Sequence, residues 1–214
     1  RVNNEYTEVF DITIGTKQGD TLSPLLFLVF INDLVEDLEA CQAGLDLPLT
    51  KHMFTCLLLA DDLVLCAPSN SKMQLLLDVC TRWAKRWRIE FGVPKCGLLI
   101  PRDENGKPVP VAPSQTLKLS GGIIPWVEEY KYLGLLLRHD LSWTSAIDAR
   151  VRATKSRLGL VLRALAQRKV AIRAKLAIVR GVIIPAALYG SELWCTGEVS
   201  MKPLQKVVDE ALQL

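Results

Sequence analysis

An α+β fold is what the sequence predicts, with antiparallel strands and packed helices over residues 1–142 and helices alone over 143–214. Three observations carry this. Short apolar runs punctuated by Gly, Pro, Asn and Ser recur through the first part of the chain, as strands and turns require. Two of these runs, 56–60 and 63–67, flank the adjacent acids Asp61 and Asp62, which reads as a β-hairpin with both carboxylates at its tip. Beyond Trp143 the apolar spacing is helical throughout, and from Ala149 to Ser191 ten Lys and Arg occur without one acid.

Residues 8–14 alternate, with Phe10, Ile12 and Ile14 on one face, and read as a strand that Gly15 ends. Ser23 and Pro24 form a helix start, Ser as N-cap and Pro at the first helical position, so a helix is expected over 24–40. Its first half is apolar nearly all round, which predicts a place under a sheet. After the hairpin, Asn70 or Ser71 caps a helix whose Met73, Leu76, Leu77, Cys80, Ala84 and Trp87 fall at helical spacing and cover one face of the sheet. Residues 95–100 are a short strand candidate, and 103–113, with three prolines, a loop. Strands are expected on either side of Gly121-Gly122, and 130–137 is the next extended run. Helices follow over about 145–167, 170–188 and 201 to the end, with Ile147, Val151, Leu158, Leu162 and Leu165 as packing positions.

The chain has 214 residues, half of them apolar, enough for a sizeable core. No apolar stretch is long enough to span a bilayer, and no signal-peptide pattern opens the sequence, so an intracellular location, nucleus or cytoplasm, is expected. The start at Arg1 and the end at Leu214 inside a helical pattern suggest a piece of a longer polypeptide. Six cysteines without a C-x-x-C pair, accompanied by only two histidines, argue against zinc and for buried free thiols in a reducing compartment. The net charge of +3 conceals a division: the ten cations from Ala149 to Ser191 leave the rest of the chain at −7. An acidic body suits metal binding and a basic segment suits a phosphate backbone, although a solvated helix face accounts for the cations equally well.

Adjacent carboxylates repel, and a hard divalent cation such as magnesium is their ordinary compensator. Polymerases use such acids to hold two metal ions about 4 Å apart around a phosphoryl transfer. A solvated turn is the simpler reading of the hairpin alone. Two further stretches change the balance: 15–27, which contains Gln18-Gly19, and Tyr130-Lys131-Tyr132-Leu133-Gly134.

In this order, the Gln-Gly stretch, Leu59-Ala60-Asp61-Asp62 and Tyr130 to Gly134 resemble the palm of reverse transcriptases of non-LTR, LINE-like retrotransposons. The resemblance extends over 83–97 and over Pro185-Ala186-Ala187-Leu188-Tyr189-Gly190-Ser191-Glu192-Leu193-Trp194. It implies a partial right-hand polymerase palm over 1–142 and a helical, basic thumb over 143–214. It also implies an RNA-directed DNA polymerase that joins deoxynucleoside triphosphates to a DNA primer on an RNA template with two Mg2+ ions.

The roles that the resemblance implies fall on named residues. Asp61 and Asp62 hold metal, and Leu59 stands where the family usually has Tyr or Phe. Gln18 and Gly19 lie near the incoming nucleotide and template. Lys95 neutralises or protonates the leaving pyrophosphate, a task suited to a mobile cation, while a solvated lysine is the plainer reading. Tyr132, Leu133 and Gly134 grip the primer, though Tyr132 and Leu133 also read as strand core. Arg150, Lys155 and Arg157 contact the nucleic-acid backbone. A third metal-binding carboxylate, and the fingers, belong to a region that this chain begins too late to contain, and Asp11 is a poor substitute, so the chain alone is expected to be inactive. The alternatives are a non-catalytic nucleic-acid-binding remnant of a retroelement and a nuclease of the ribonuclease H type. The latter gathers its acids from separated strands rather than from one hairpin tip.

Overall fold

A computed structural model of the chain describes residues 15, 19–48, 52–101, 116–195 and 201–213, which fall into two compact units. The strand expected over 8–14 and the loop expected over 103–113 lie outside the described residues.

The first unit opens with helix α1 (Ser23–Ala40), in which Ser23 is the first helical residue rather than the cap, and Leu22 precedes it with no side-chain cap. Proline is tolerated anywhere in a first turn, where amide hydrogens have no intrahelical acceptor, so Pro24 does not settle the start to one residue. Ile31, Leu34 and Leu38 are buried at spacings of three and four, and this face meets helix α2 (Asn70–Trp87). The first half of α1 differs from expectation. Leu25, Leu26, Leu28 and Val29 are each more than half exposed. An apolar run signals a surface that gains from cover, but it does not specify the cover.

Strands β1 (Leu45–Asp46) and β2 (Met53–Phe54) form one antiparallel pair, and β3 (Cys56–Leu59) with β4 (Asp62–Leu65) the next. Gly44 is required for the first, because a Cβ there would stand 2.6 Å from the Phe54 carbonyl oxygen. The cap of α2 is Ser69, one residue before the expected position, with its Oγ accepting from the Lys72 amide at 3.3 Å. Leu76, Leu77, Cys80, Trp83 and Ala84 are buried, whereas Trp87 stays partly exposed with its ring against Phe30. Strands β5 (Lys118–Leu119) and β6 (Gly122–Ile123) pair around a Ser120-Gly121 turn. Gln74 of α2 fastens β5 from both sides: its Oε1 accepts from the Lys118 amide at 2.9 Å, and its Nε2 donates to the Lys118 carbonyl at 3.0 Å.

The second unit begins at Pro94, inside a 3-10 turn at Val93–Lys95, and in it the expected strand over 95–100 is reduced to a single parallel bridge from Leu98 to Trp126. The extended run over 130–137 is a hairpin, β7 (Glu129–Tyr132) and β8 (Leu135–Arg138). Helix α3 (Thr144–Leu165) follows, then α4 (Ile172–Ile178), a π turn (Val179–Ile183), α5 (Ile184–Leu188), α6 (Ser191–Trp194) and α7 (Lys202–Leu212). The widened turn ends two residues before Pro185, whose missing amide hydrogen cannot continue the regular ladder.

Two clusters hold this unit together. Leu158, Leu165, Val179, Ile183, Val207 and Ala211 form one; Leu135, Ile147, Ala187, Trp194 and Leu204 form the other. Ile147, Leu158 and Leu165 are therefore core as expected, while Leu162 lies 41% exposed. The architecture is α+β with small antiparallel pairs, and among the described residues no sheet exceeds two strands. Among them also, no helix is long and apolar enough to cross a membrane.

Candidate active site

The acidic hairpin is built one residue out of the expected register. Leu59 pairs with Asp62 and Leu58 with Leu63, so the two turn residues are Ala60 and Asp61, and Asp62 is the first residue of β4. Both flanking runs are uniformly apolar, and a slip by one residue would still pair apolar with apolar. The pattern therefore does not select the register. Of the two turn residues only Ala60 has positive φ, +53°. Glycine is favoured there, and a Cβ in this region costs roughly 1–2 kcal/mol. Such strain at a hairpin tip is often found where function requires a particular geometry.

Because paired residues share a face, Asp62 projects on the same side as Leu59 and Leu57, and all three are exposed. Asp61 is also exposed. Among the described residues neither carboxylate has an ion pair or a hydrogen bond. Two accessible, uncommitted carboxylates are hard oxygen donors, and this donor set fits Mg2+. Among the described residues no cluster of three or more His, Cys, Asp or Glu is poised to hold a metal. The thiols offer no alternative site: Cys56, Cys66 and Cys96 are pushed above the usual thiol range, chiefly by burial, which keeps them protonated. All six cysteines are free, but only Cys80 is buried and Cys195 is exposed, a departure from the expectation of buried thiols.

Gly19 has φ +84° with open space around the position of a Cβ, and the next turn is steadied by Asp20, whose Oδ1 accepts from the Leu22 amide at 3.4 Å. Gln18 lies outside the described residues.

Lys95 and the Tyr130 to Gly134 stretch come together within the second unit. The Tyr130 hydroxyl donates to the Lys95 carbonyl oxygen at 2.9 Å, and a Cβ on Gly97 would lie 2.9 Å from the Tyr130 ring, so glycine permits this contact. The Lys95 side chain is exposed. Tyr132 pairs with Leu135 across a turn made of Leu133 and Gly134, whose φ values of +47° and +80° are those of a type I′ turn.

This turn is held from outside. Arg150 of α3 donates from a terminal guanidinium nitrogen to the Gly134 carbonyl oxygen at 3.0 Å, and the Tyr189 hydroxyl donates to the Leu133 carbonyl oxygen at 2.6 Å. The Arg150 guanidinium lies over the Tyr189 ring, 5.0 Å from its centre. Trp194, fully buried, donates from its indole nitrogen to the Tyr189 carbonyl at 3.2 Å. At Gly190, φ +74°, a Cβ would meet the Leu135 side chain at 2.6 Å. Sequence reasoning gave Tyr189 no role. The Tyr-Gly pair at a helix end was the available signal, because glycine there points to a left-handed residue under close packing.

The other basic side chains of α3 stand differently. Arg152, Lys155, Arg157 and Arg163 are exposed, and Arg152, Lys155 and Arg163 share one side of the helix with Gly159, where a Cβ would meet nothing within 4 Å.

The reverse transcriptase (RNA-dependent DNA polymerase) family model matches residues 1–137. Among curated proteins, the chain is similar to the RNA-directed DNA polymerase from mobile element jockey of Drosophila melanogaster, at 24% identity over 196 residues, 90% of this chain and 20% of that protein. It is similar also to the probable RNA-directed DNA polymerase from transposon BS of the same species, at 30% identity over 206 residues, 91% of this chain and 21% of that protein. A third relative is the Pol polyprotein from the type-2 retrotransposable element R2DM, at 26% identity over 204 residues, 94% of this chain and 18% of that protein. The chain thus spans about a fifth of the length of these relatives. No solved structure matches it significantly.

Proposed function

Because the chain belongs to the reverse transcriptase (RNA-dependent DNA polymerase) family, in its non-LTR, LINE-like branch, we propose that it forms part of an RNA-directed DNA polymerase active in retrotransposition. The observation that carries the reading is the Asp61-Asp62 pair, exposed at a strained hairpin tip within the matched residues and, among the described residues, without a hydrogen bond or ion pair.

In this reading Asp61 and Asp62 hold Mg2+, and a further carboxylate comes from outside the described residues. Bound metal supplies electrostatic stabilisation of the phosphoryl transfer from a deoxynucleoside triphosphate to a primer 3′-hydroxyl. The chain itself supplies position and charge. Gln18 and Gly19 line the nucleotide and template side, and Lys95 neutralises or protonates the leaving pyrophosphate. Tyr132, Leu133 and Gly134 contact the primer strand, and Lys155 and Arg157 follow the phosphates of an RNA–DNA duplex. Arg150 was expected among the latter, but its guanidinium is engaged with Gly134 and Tyr189, so its part is assigned separately below. Residues 1–142 would be the palm and 143–214 the thumb. A second reading, a nucleic-acid-binding remnant without catalysis, is favoured only by the small number of acids in the described part.

The test is Asp61→Asn in a polypeptide of this element that contains the chain and extends primers. The substitution removes one charge with little change of shape, so a turn residue tolerates it and a metal ligand does not. Primer extension should fall by at least about a thousandfold, roughly 4 kcal/mol of barrier, with template–primer binding retained. Near-normal extension would return the pair to an ordinary turn.

A further inference from the structure

Building on the reading of Leu133 and Gly134 as primer contacts, we infer that Arg150 and Tyr189 are positioning residues. They fix the two carbonyls of this turn and so set where the primer end lies.

A type I′ turn presents its carbonyl oxygens outward, where water ordinarily satisfies them and leaves the turn free to move. Here both carbonyls have protein donors from distant parts of the chain, Arg150 in α3 and Tyr189 after α5. The donors also hold each other. The guanidinium lies over the ring, and the ring backs Gly134, where a Cβ would come within 3.5 Å of Tyr189 Cε1. The turn needs such support, because Leu133 is a branched residue at φ +47°, a conformation that persists only when its surroundings impose it. Indole donation from Trp194 to the Tyr189 carbonyl, and the close seating of Gly190 on Leu135, fix Tyr189 in turn. Within the stretch 185–194, Tyr189, Gly190 and Trp194 thus have a structural task. The clamped surface remains open to a ligand, since Leu133 is 36% and Tyr189 48% exposed.

A simple phosphate contact makes a different demand. A lysine at 150 would serve phosphate as a point charge, but it lacks the planar fork that reaches a carbonyl while stacking on a ring. Tyr189→Phe keeps the ring and removes only the donor to Leu133.

The experiment measures fluorescence anisotropy of the chain with an RNA–DNA duplex whose primer 3′ end is recessed, against a blunt duplex of equal length at the same salt. The unaltered chain should prefer the recessed end. Tyr189→Phe and Arg150→Lys should each lower that preference about fivefold, the worth of one hydrogen bond, with blunt-duplex affinity unchanged. Without nucleic acid, amide hydrogen exchange in the β7–β8 turn should quicken in both variants while α3 and α7 keep their protection, which also shows that the variants fold. If the unaltered chain discriminates and both variants discriminate equally, the clamp is refuted and the primer reading stands. If Arg150→Lys retains the full preference of the unaltered chain, Arg150 acts as a phosphate contact and its positioning role is refuted. If the unaltered chain does not discriminate at all, the primer reading falls and this inference falls with it.

Discussion

Leu59 and Asp62 face each other across the last pair of the acidic hairpin, so the nearest in-register neighbour of one acid is an exposed apolar side chain. Asp62 and Asp61 are not equivalent in this geometry, since one begins a strand and the other occupies the turn. Asp62→Asn is expected to reduce primer extension less than Asp61→Asn does, and Leu59→Tyr to preserve or raise turnover. Steady-state kinetics of the three variants checks the order. A Leu59→Tyr protein as impaired as Asp61→Asn would show that the small apolar residue is itself required.

Ala60 occupies a conformation that suits glycine, and this is open to measurement. Ala60→Gly relieves roughly 1–2 kcal/mol of left-handed strain and forfeits about 0.5–1 kcal/mol of chain entropy, leaving a small net stabilisation. Thermal melting and slower amide exchange in β3 and β4 are the readouts. A clear loss of stability would mean that the Ala60 side chain makes a contact worth more than its strain.

Two glycines of the second unit should respond with opposite signs. Gly190→Ala adds a Cβ 2.6 Å from the buried Leu135 side chain at φ +74°, and about 2–4 kcal/mol of destabilisation is expected from strain and overpacking together. Gly159→Ala meets open space inside a regular helix and should stabilise by about 0.5–1 kcal/mol. Denaturant melts of both variants make the comparison. Equal effects would contradict the packing described around Tyr189.

The acid-free segment from Ala149 to Ser191, with its ten Lys and Arg, makes a salt-dependent prediction. If about six of its cations touch phosphates, log affinity for duplex falls against log salt with a slope of about −5, at roughly −0.9 per neutralised phosphate. Replacing Lys155 and Arg157 by Gln should reduce that slope by about 2 by the same rule. A slope that the double variant leaves unchanged would show these side chains to be solvated only.

Motif order and periodicity were sufficient for much of this molecule. Three stretches in sequence pointed to the family, and the apolar spacing of α2 and α3 located both helices to within about two residues, because helical periodicity is local and repeats over several turns. The ends of elements were less legible: Ser69 and not Asn70 caps α2, and Ser23 lies inside α1. The register of the acidic hairpin was not legible at all, since Cys56–Leu59 and Leu63–Leu65 are apolar on both faces and a one-residue slip costs nothing that the pattern records. Arg150 shows why a site escapes inspection of a sequence. As one of ten cations in an acid-free segment it looks like a charge for phosphate, and only folding brings it to the carbonyl of Gly134 and the ring of Tyr189. Hydrogen bonds and stacking between residues far apart along the chain leave no periodic trace in it, so the tertiary structure alone decided which arginine holds the turn.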